Sequence, residues 1–295
     1  MARFGSVLTA MATPFRADGA LDLDGAATLA RWLVGHGSEG LVVAGTTGEA
    51  STLSDDEKVA LWSAVRAAVD VPLLAGTGTN DTRHSAVLSE RAAATGVDGL
   101  LVVTPYYNRP SQAGLEAHFR TVAAATDLAM VLYDIPGRTG RKISTEVLVR
   151  LAHEVPSIVG VKDAAGNPAE TARLIARAPA DFEVYSGDDG MTLPLLAVGA
   201  VGVVGTCTHW AGAEMAELVA AFAKGDHGHA RAINAGLLDS YAYESRETAQ
   251  FALAVKVALR VLGLPCGPCR PPLGPEPGEL EAEARAIIEG LGHRG

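Results

Sequence analysis

The stretch "SIVGVKDAAG", Ser157–Gly166, decides the reading of this chain. Ile158 to Val161 are apolar or glycine, with no polar residue between them. A continuous run of that kind is buried on both faces, as the strands of a parallel sheet are. Lys162 then closes the run. The chain carries five lysines against nineteen arginines, so a lysine at the end of an interior strand needs a reason.

Seven more apolar runs share the pattern: "SVLTAM" (6–11), "GLVVAG" (40–45), "VPLLAG" (71–76), "GLLVVTP" (99–105), "AMVLYDIP" (129–136), "FEVYSG" (182–187) and "VGVVGT" (201–206). Alanine-rich helical patterns lie between them. "SDDEKVALWSAVRAAV" opens on Ser54 with Glu57 three residues on, a capping box. "NDTRHSAVLSERAAATG" opens on an Asn or Asp cap and closes on Gly96. "SQAGLEAHFRTVAAAT", "STEVLVRLAHEV" and "NPAETARLIARA" follow the same grammar. Eight strand–helix alternations predict a (β/α)8 TIM barrel with a C-terminal helical extension. The expected division is a barrel catalytic domain over 1–225 and an extension over 226–295. Helical segments are expected at 211–224, 226–242, 247–262 and 277–291, one of them the eighth barrel helix. A doubly wound open sheet has the same local signals; the number and regularity of the runs favour the barrel.

Composition narrows the function. Hydrophobic residues make up 48% and charged residues 20% of the 295, enough for a large packed core. A net charge of −10 argues against a nucleic-acid or anionic-membrane surface. No apolar run reaches the roughly 18 residues of a membrane span. The first residues show no signal-peptide pattern, so a cytoplasmic location is expected. The three cysteines, Cys207, Cys266 and Cys269, form no disulfide framework. "CGPC" (266–269) is expected to be a turn, and "DHGH" (226–229) a polar loop between helices. The glycine-containing runs lack dinucleotide-binding spacing, and no nucleophile-elbow motif is present.

Catalytic groups of such barrels sit at the C-terminal ends of the strands. Here those ends read "GTTGE", "TPYYN", "YDIPGRTG", "KDAAG", "SGDD" and "GTCTHW", rich in hydroxyls, glycine and charge. An ammonium among apolar groups is costly unless paired or deprotonated, and burial lowers its pKa. A neutral lysine amine attacks carbonyl carbon to form an imine, which draws electrons from the adjacent carbon. The plain alternative is that Lys162 pairs with Asp163 or another carboxylate. Tyr133 lies in the neighbouring strand, where its phenol could shuttle protons or simply fill the core. Thr46 and Thr47 offer hydroxyls and backbone amides suited to a carboxylate, or merely a tight turn. Arg138 could clamp a second anion or stand on the surface. The Tyr106–Tyr107 pair on its loop suits an interface.

Taken together, "GLVVAGTTGEASTLSDDE" (40–57), "TPYYNRP" (104–110), "YDIPGRTG" (133–140) and "GVKDAAG" (160–166) resemble the dihydrodipicolinate synthase and N-acetylneuraminate lyase family of class I aldolases. The resemblance runs in order from about Val7 to the Leu273 region. It implies the barrel with its helical extension, and a homotetramer built from tight dimers. It implies that Lys162 forms an imine with pyruvate, with no separate cofactor and no metal. Thr46, Tyr133 and Tyr107 would form a proton relay, Tyr107 reaching in from the neighbouring subunit. Thr47 would hold the pyruvate carboxylate, and Gly187 and Val204 would line the site through main chain. Arg138 matches the branch in which this arginine binds the carboxylate of aspartate semialdehyde. The implied reaction is condensation of pyruvate with that aldehyde to 4-hydroxy-tetrahydrodipicolinate, on the route to diaminopimelate and lysine. A pyruvate-dependent aldolase for 2-keto-3-deoxy sugar acids is the alternative, and a catalytically silent family member is disfavoured because the lysine and tyrosines are present. At the feedback site of lysine-inhibited relatives, Asn80 and Tyr106 match, but Lys58 stands where a histidine is usual and His84 where a glutamate is usual. Weak or absent inhibition by lysine is therefore expected.

Overall fold

Each of the eight apolar runs becomes a strand in the computed structural model, which describes residues 2–249 and 251–292. The strands are β1 (Val7–Ala10), β2 (Gly40–Val43), β3 (Leu73–Gly76), β4 (Gly99–Val103), β5 (Ala129–Asp134), β6 (Ile158–Asp163), β7 (Glu183–Ser186) and β8 (Gly202–Gly205). They pair in chain order, all parallel, and β8 closes on β1 with Val203 opposite Val7. That closure rules out the open sheet.

Both faces of each strand are buried, for two different reasons. Inward-facing Leu8, Val42, Leu74, Leu101, Val131 and Val204 fill the barrel together with Phe4, Tyr133 and Tyr185. Outward-facing Leu41, Val43, Leu73, Val102, Leu132 and Val203 pack beneath the helices. Each such side chain removed from water contributes about 1.5–3 kcal/mol, which is why the runs are continuous rather than alternating.

The helices start where their caps are. Helix Asp55–Ala68 has the capping box: Ser54 Oγ accepts from the Glu57 amide at 3.2 Å, and Glu57 Oε2 from the Ser54 amide at 2.9 Å. Asp81, Ser111, Ser144 and Asn167 cap helices Thr82–Ala93, Gln112–Ala123, Thr145–Glu154 and Pro168–Ile175. Helices Leu23–Gly35 and Thr192–Ala197 lie outside the segments that the helical pattern singled out. The second is only six residues long and contains Pro194, too short to show a period.

Past β8 the expected segments shift. The first helix is Thr208–Ala223, starting before 211 across a non-helical Ala211. The expected helix over 226–242 is two, His227–Gly236 and Leu238–Ser245. Gly236, a poor helix former, precedes the break, and the Leu237 amide turns back to the Ile233 and Asn234 carbonyls. Ala252–Val261 and Leu280–Gly290 follow. "CGPC" is irregular chain in which Cys266 donates its thiol to the Lys256 carbonyl at 3.1 Å. In "DHGH", Asp226 is a helix cap and His229 meets Glu217 at 2.6 Å.

The extension is fastened to the turn that follows β2. Lys256 and Glu49, whose side chains are fully buried, form an ion pair at 2.6 Å. The Arg270 amide donates to Glu49 at 2.9 Å, and its guanidinium grips Glu57 at 2.6 and 2.9 Å while stacking on Phe15. Three parts of the chain thus lock the segment that carries Thr46 and Thr47.

Candidate active site

Register places the lysine. Tyr133 on β5, Lys162 on β6 and Tyr185 on β7 are partners on adjacent strands, all directed into the barrel. Lys162 is 4% exposed, and its Nζ lies 4.4 Å from the centre of the Tyr133 ring. Burial pulls its ammonium down to about 8, while the acidic groups behind it, Asp189 foremost, act through space to hold it up. The expected alternative, a pair with Asp163, does not form. Asp163 points outward and accepts from the Thr171 hydroxyl at 2.6 Å and the Ala165 amide at 2.9 Å.

Tyr133 is a proton-carrying group beside the lysine. Burial pushes its phenol well above the usual range, opposed by the Arg138 charge, so it holds its proton at neutral pH. Its hydroxyl is hydrogen-bonded to the Thr46 side chain. Thr46 is exposed at the mouth, whereas Thr47 beside it is buried. Their turn is pinned from the segment that follows β1 by the Thr13 hydroxyl, which donates to the Gly48 carbonyl at 2.6 Å.

Gly187 follows β7, and a Cβ there would stand 2.9 Å from Lys162 Cγ and 3.0 Å from its Cε. The lysine therefore occupies the space that glycine vacates. Val204 is buried on β8 within the inner core, one strand beyond Tyr185.

Arg138 sits in the short turn of helix Pro136–Thr139, closed by Gly140 in the left-handed region. Its guanidinium lies 4.3 Å from the Phe251 ring, a contact from the extension that sequence reasoning missed. Arg138, Thr46 and Tyr133 line one cleft of about 250 Å³ above the barrel. The same cleft reaches Lys58, Ser51 and Tyr106. Lys58 is buried, which lowers its pKa, and it lies 3.9 Å from Asp55; His84 meets that same carboxylate at 2.8 Å. Tyr107 stands apart, 89% exposed with φ +73°, and does not join Lys162 within this chain.

Sequence reasoning also missed the acids behind the lysine. Asp189, Cys207 and Glu244 are buried with their polar atoms within 4.8 Å of one another, a donor set of the kind that can hold a cation. Asp189 is already engaged, accepting from the Cys207 thiol at 3.2 Å and the Thr206 amide at 2.8 Å. The acidic "SGDD" after β7 was the only local signal of this cluster; Glu244 gave none.

Comparison with known proteins agrees with this geometry. Residues 3–291 match the Dihydrodipicolinate synthetase family. The chain is 53% identical to 4-hydroxy-tetrahydrodipicolinate synthase of Acidothermus cellulolyticus over 293 residues, 99% of this chain and 94% of that one. It is 50% identical to the enzyme of that name from Moorella thermoacetica over 290 residues, 97% and 98% of the two chains. A crystal structure of the Cyanidioschyzon merolae protein, with lysine bound, superposes with a TM-score of 0.96 at 38% identity over 99% of both chains. Matched along nearly its whole length in sequence and in fold, the chain belongs to the Dihydrodipicolinate synthetase family.

Proposed function

We propose that this chain is a lyase that condenses pyruvate with L-aspartate 4-semialdehyde to give 4-hydroxy-tetrahydrodipicolinate, through an imine on Lys162. The observation that carries the reading is the buried Lys162, its pKa drawn down to about 8, with its Nζ 4.4 Å from the Tyr133 ring at the C-terminal mouth of the barrel.

Near neutral pH a usable fraction of Lys162 is the free amine. It attacks the ketone carbon of pyruvate; one water leaves and one proton is taken up as the iminium forms. Thr47 and the amides of its turn hold the pyruvate carboxylate. Tyr133, holding its proton and bonded to Thr46, supplies and recovers protons as the carbinolamine collapses and the methyl carbon becomes an enamine. Arg138, steadied on Phe251, binds the carboxylate of the aldehyde so that its carbonyl meets the enamine carbon. The substrate's amino group then closes the ring on the former imine carbon and releases Lys162. Gly187 and Val204 shape the pocket around the lysine. No separate cofactor enters the scheme. Tyr107 completes the relay only from a second copy, so the reading includes a homotetramer built as a dimer of dimers, acting in the cytoplasm. Residues 1–225 are the catalytic unit and 226–295 the extension that braces it.

The test is a coupled assay with pyruvate, aspartate semialdehyde and the downstream reductase, following loss of NADPH. Loss that requires both substrates supports the reading. No loss, with pyruvate still trapped on the protein by borohydride, would move it to aldolases of 2-keto-3-deoxy sugar acids. A borohydride-trapped adduct that survives in Lys162→Ala would refute the role of that lysine.

A further inference from the structure

Behind Lys162 two carboxyl groups meet in the interior. Asp189 lies on the turn after β7, and Glu244 comes from helix Leu238–Ser245 of the extension; both are buried. Asp189 is cradled: Oδ2 accepts the Thr206 amide at 2.8 Å and Oδ1 the Cys207 thiol at 3.2 Å. Gly205 leaves it room, since a Cβ there would stand 2.4 Å from Oδ1. The backbone leading to Asp189 starts at Gly187, which runs against the Lys162 side chain. Glu244 is hydrogen-bonded to Asp189, and its Oε2 is buried with no donor directed at it among the described residues.

We propose that Asp189 and Glu244 hold one proton between them, seated on Glu244, and that the single negative charge left on Asp189 is the buried counter-ion of the iminium formed on Lys162. The proposal rests on the imine reading above. A hydrogen bond between two carboxyl groups needs a proton on one of them. Asp189 already accepts on both oxygens, so Glu244 is the donor. A neutral Glu244 also explains why its second oxygen can lie in the interior without a donor, which an ionised carboxylate could not do cheaply. Burial pushes its pKa far above the usual carboxylate range, in the same sense.

The charge count suits the chemistry. A doubly ionised pair would keep Lys162 protonated and unreactive, and a neutral pair would leave the iminium cation bare in a buried site. Three of the groups facing the pair add no charge to it. Burial holds Cys207 and Tyr241 neutral. His209 donates to the Thr206 carbonyl and accepts from the Ala12 amide, and burial draws it down to about 4, so it is neutral as well. Asp188, its pKa raised, and Glu214, which acts on Cys207 from helix Thr208–Ala223, are common to the wild type and both variants, so differences among the three report the pair alone. Asp189 and Glu244 are positioning residues that act through Lys162 and take no part in the bonds made and broken.

The test uses the full-length protein, Glu244→Gln and Asp189→Asn. Difference infrared spectroscopy at pH 8 should show a neutral carboxyl band in the wild type that vanishes in E244Q. The pH midpoint of the borohydride-trapped pyruvate adduct should stay within a few tenths of a unit in E244Q, because glutamine is a neutral donor too. In D189N it should fall by on the order of one unit. Pyruvate should then form its adduct on the order of tenfold less tightly, the equivalent of one pKa unit. A missing carboxyl band overturns the proposal even if D189N fails to fold. An E244Q midpoint that moves as far as that of D189N, or an unmoved midpoint in folded D189N, overturns it too. Stoichiometric metal in the purified protein, lost in E244Q, would replace it with a cation site. No adduct in the wild type would instead sink the imine reading, and the infrared band would still decide the pair.

Discussion

Lys256→Met tests how the extension supports the active-site turn. In the native chain Lys256 Nζ meets Glu49 Oε1 at 2.6 Å with both side chains fully buried. It also donates to the Pro268 carbonyl at 2.9 Å and lies 4.2 Å from the centre of the Phe15 ring. Methionine fills the same length without charge, so packing is largely kept. What changes is Glu49, left as a buried carboxylate with the Arg270 amide on its other oxygen. Removing one partner of a buried ion pair costs about 3–5 kcal/mol, because the survivor is desolvated and uncompensated. Denaturant unfolding at a fixed protein concentration should show that loss, since assembly would otherwise shift the midpoint. Glu49→Gln combined with Lys256→Met should recover most of it, a neutral pair replacing an ionic one. Because Glu49 ends the turn that carries Thr46 and Thr47, KM for pyruvate should rise in the single variant before kcat falls. A loss below about 1 kcal/mol in the single variant, or a double variant as unstable as the sum of the two, would refute the reasoning.

Gly187→Ala should cut adduct formation sharply while moving the melting temperature by only a few degrees, since the new methyl meets Lys162 Cγ at 2.9 Å; adduct formation at the native rate would contradict the packing argument. Arg138→Ala should impair use of the aldehyde far more than trapping of pyruvate, and equal effects on both would remove its assigned role. Adduct formation should rise as pH passes about 8, because the folded state draws Lys162 below its usual 10.5 and the neutral amine is the nucleophile; a midpoint near 10.5 would mean a solvated lysine. Inhibition by lysine should be weak, since the Lys58 ammonium lines the cleft that also holds Tyr106; potent inhibition at sub-millimolar lysine would overturn this.

Much of this architecture is legible along the chain. Continuous apolar runs mark the strands, and Ser54, Asp81, Ser111, Ser144 and Asn167 mark the helix starts. Those signals depend on residues a few positions apart, so they survive being read one segment at a time. Lys162, Thr46 and Arg138 stood out because each lies near or just past the C-terminal end of a strand, where such barrels gather their chemistry, and Tyr133 because it lies inside the strand next to the lysine's. Other features carry no local mark. The break at Leu237 and the short helix Thr192–Ala197 lie where periodicity is too brief to count.

By itself, the order of residues determined the alternation of strands and helices, and which strand end bears the lysine. Burial pattern and cap chemistry are properties of neighbours along the chain. Only the closed barrel decided that Tyr133 and Lys162 share a level, that Gly187 vacates the lysine's space, and that Asp55 lies between Lys58 and His84. Only the docking of the extension brought Glu244 to Asp189 and Phe251 to Arg138. Those contacts join residues far apart in sequence, and their energies arise from desolvation and charge at distances that no spacing along the chain encodes.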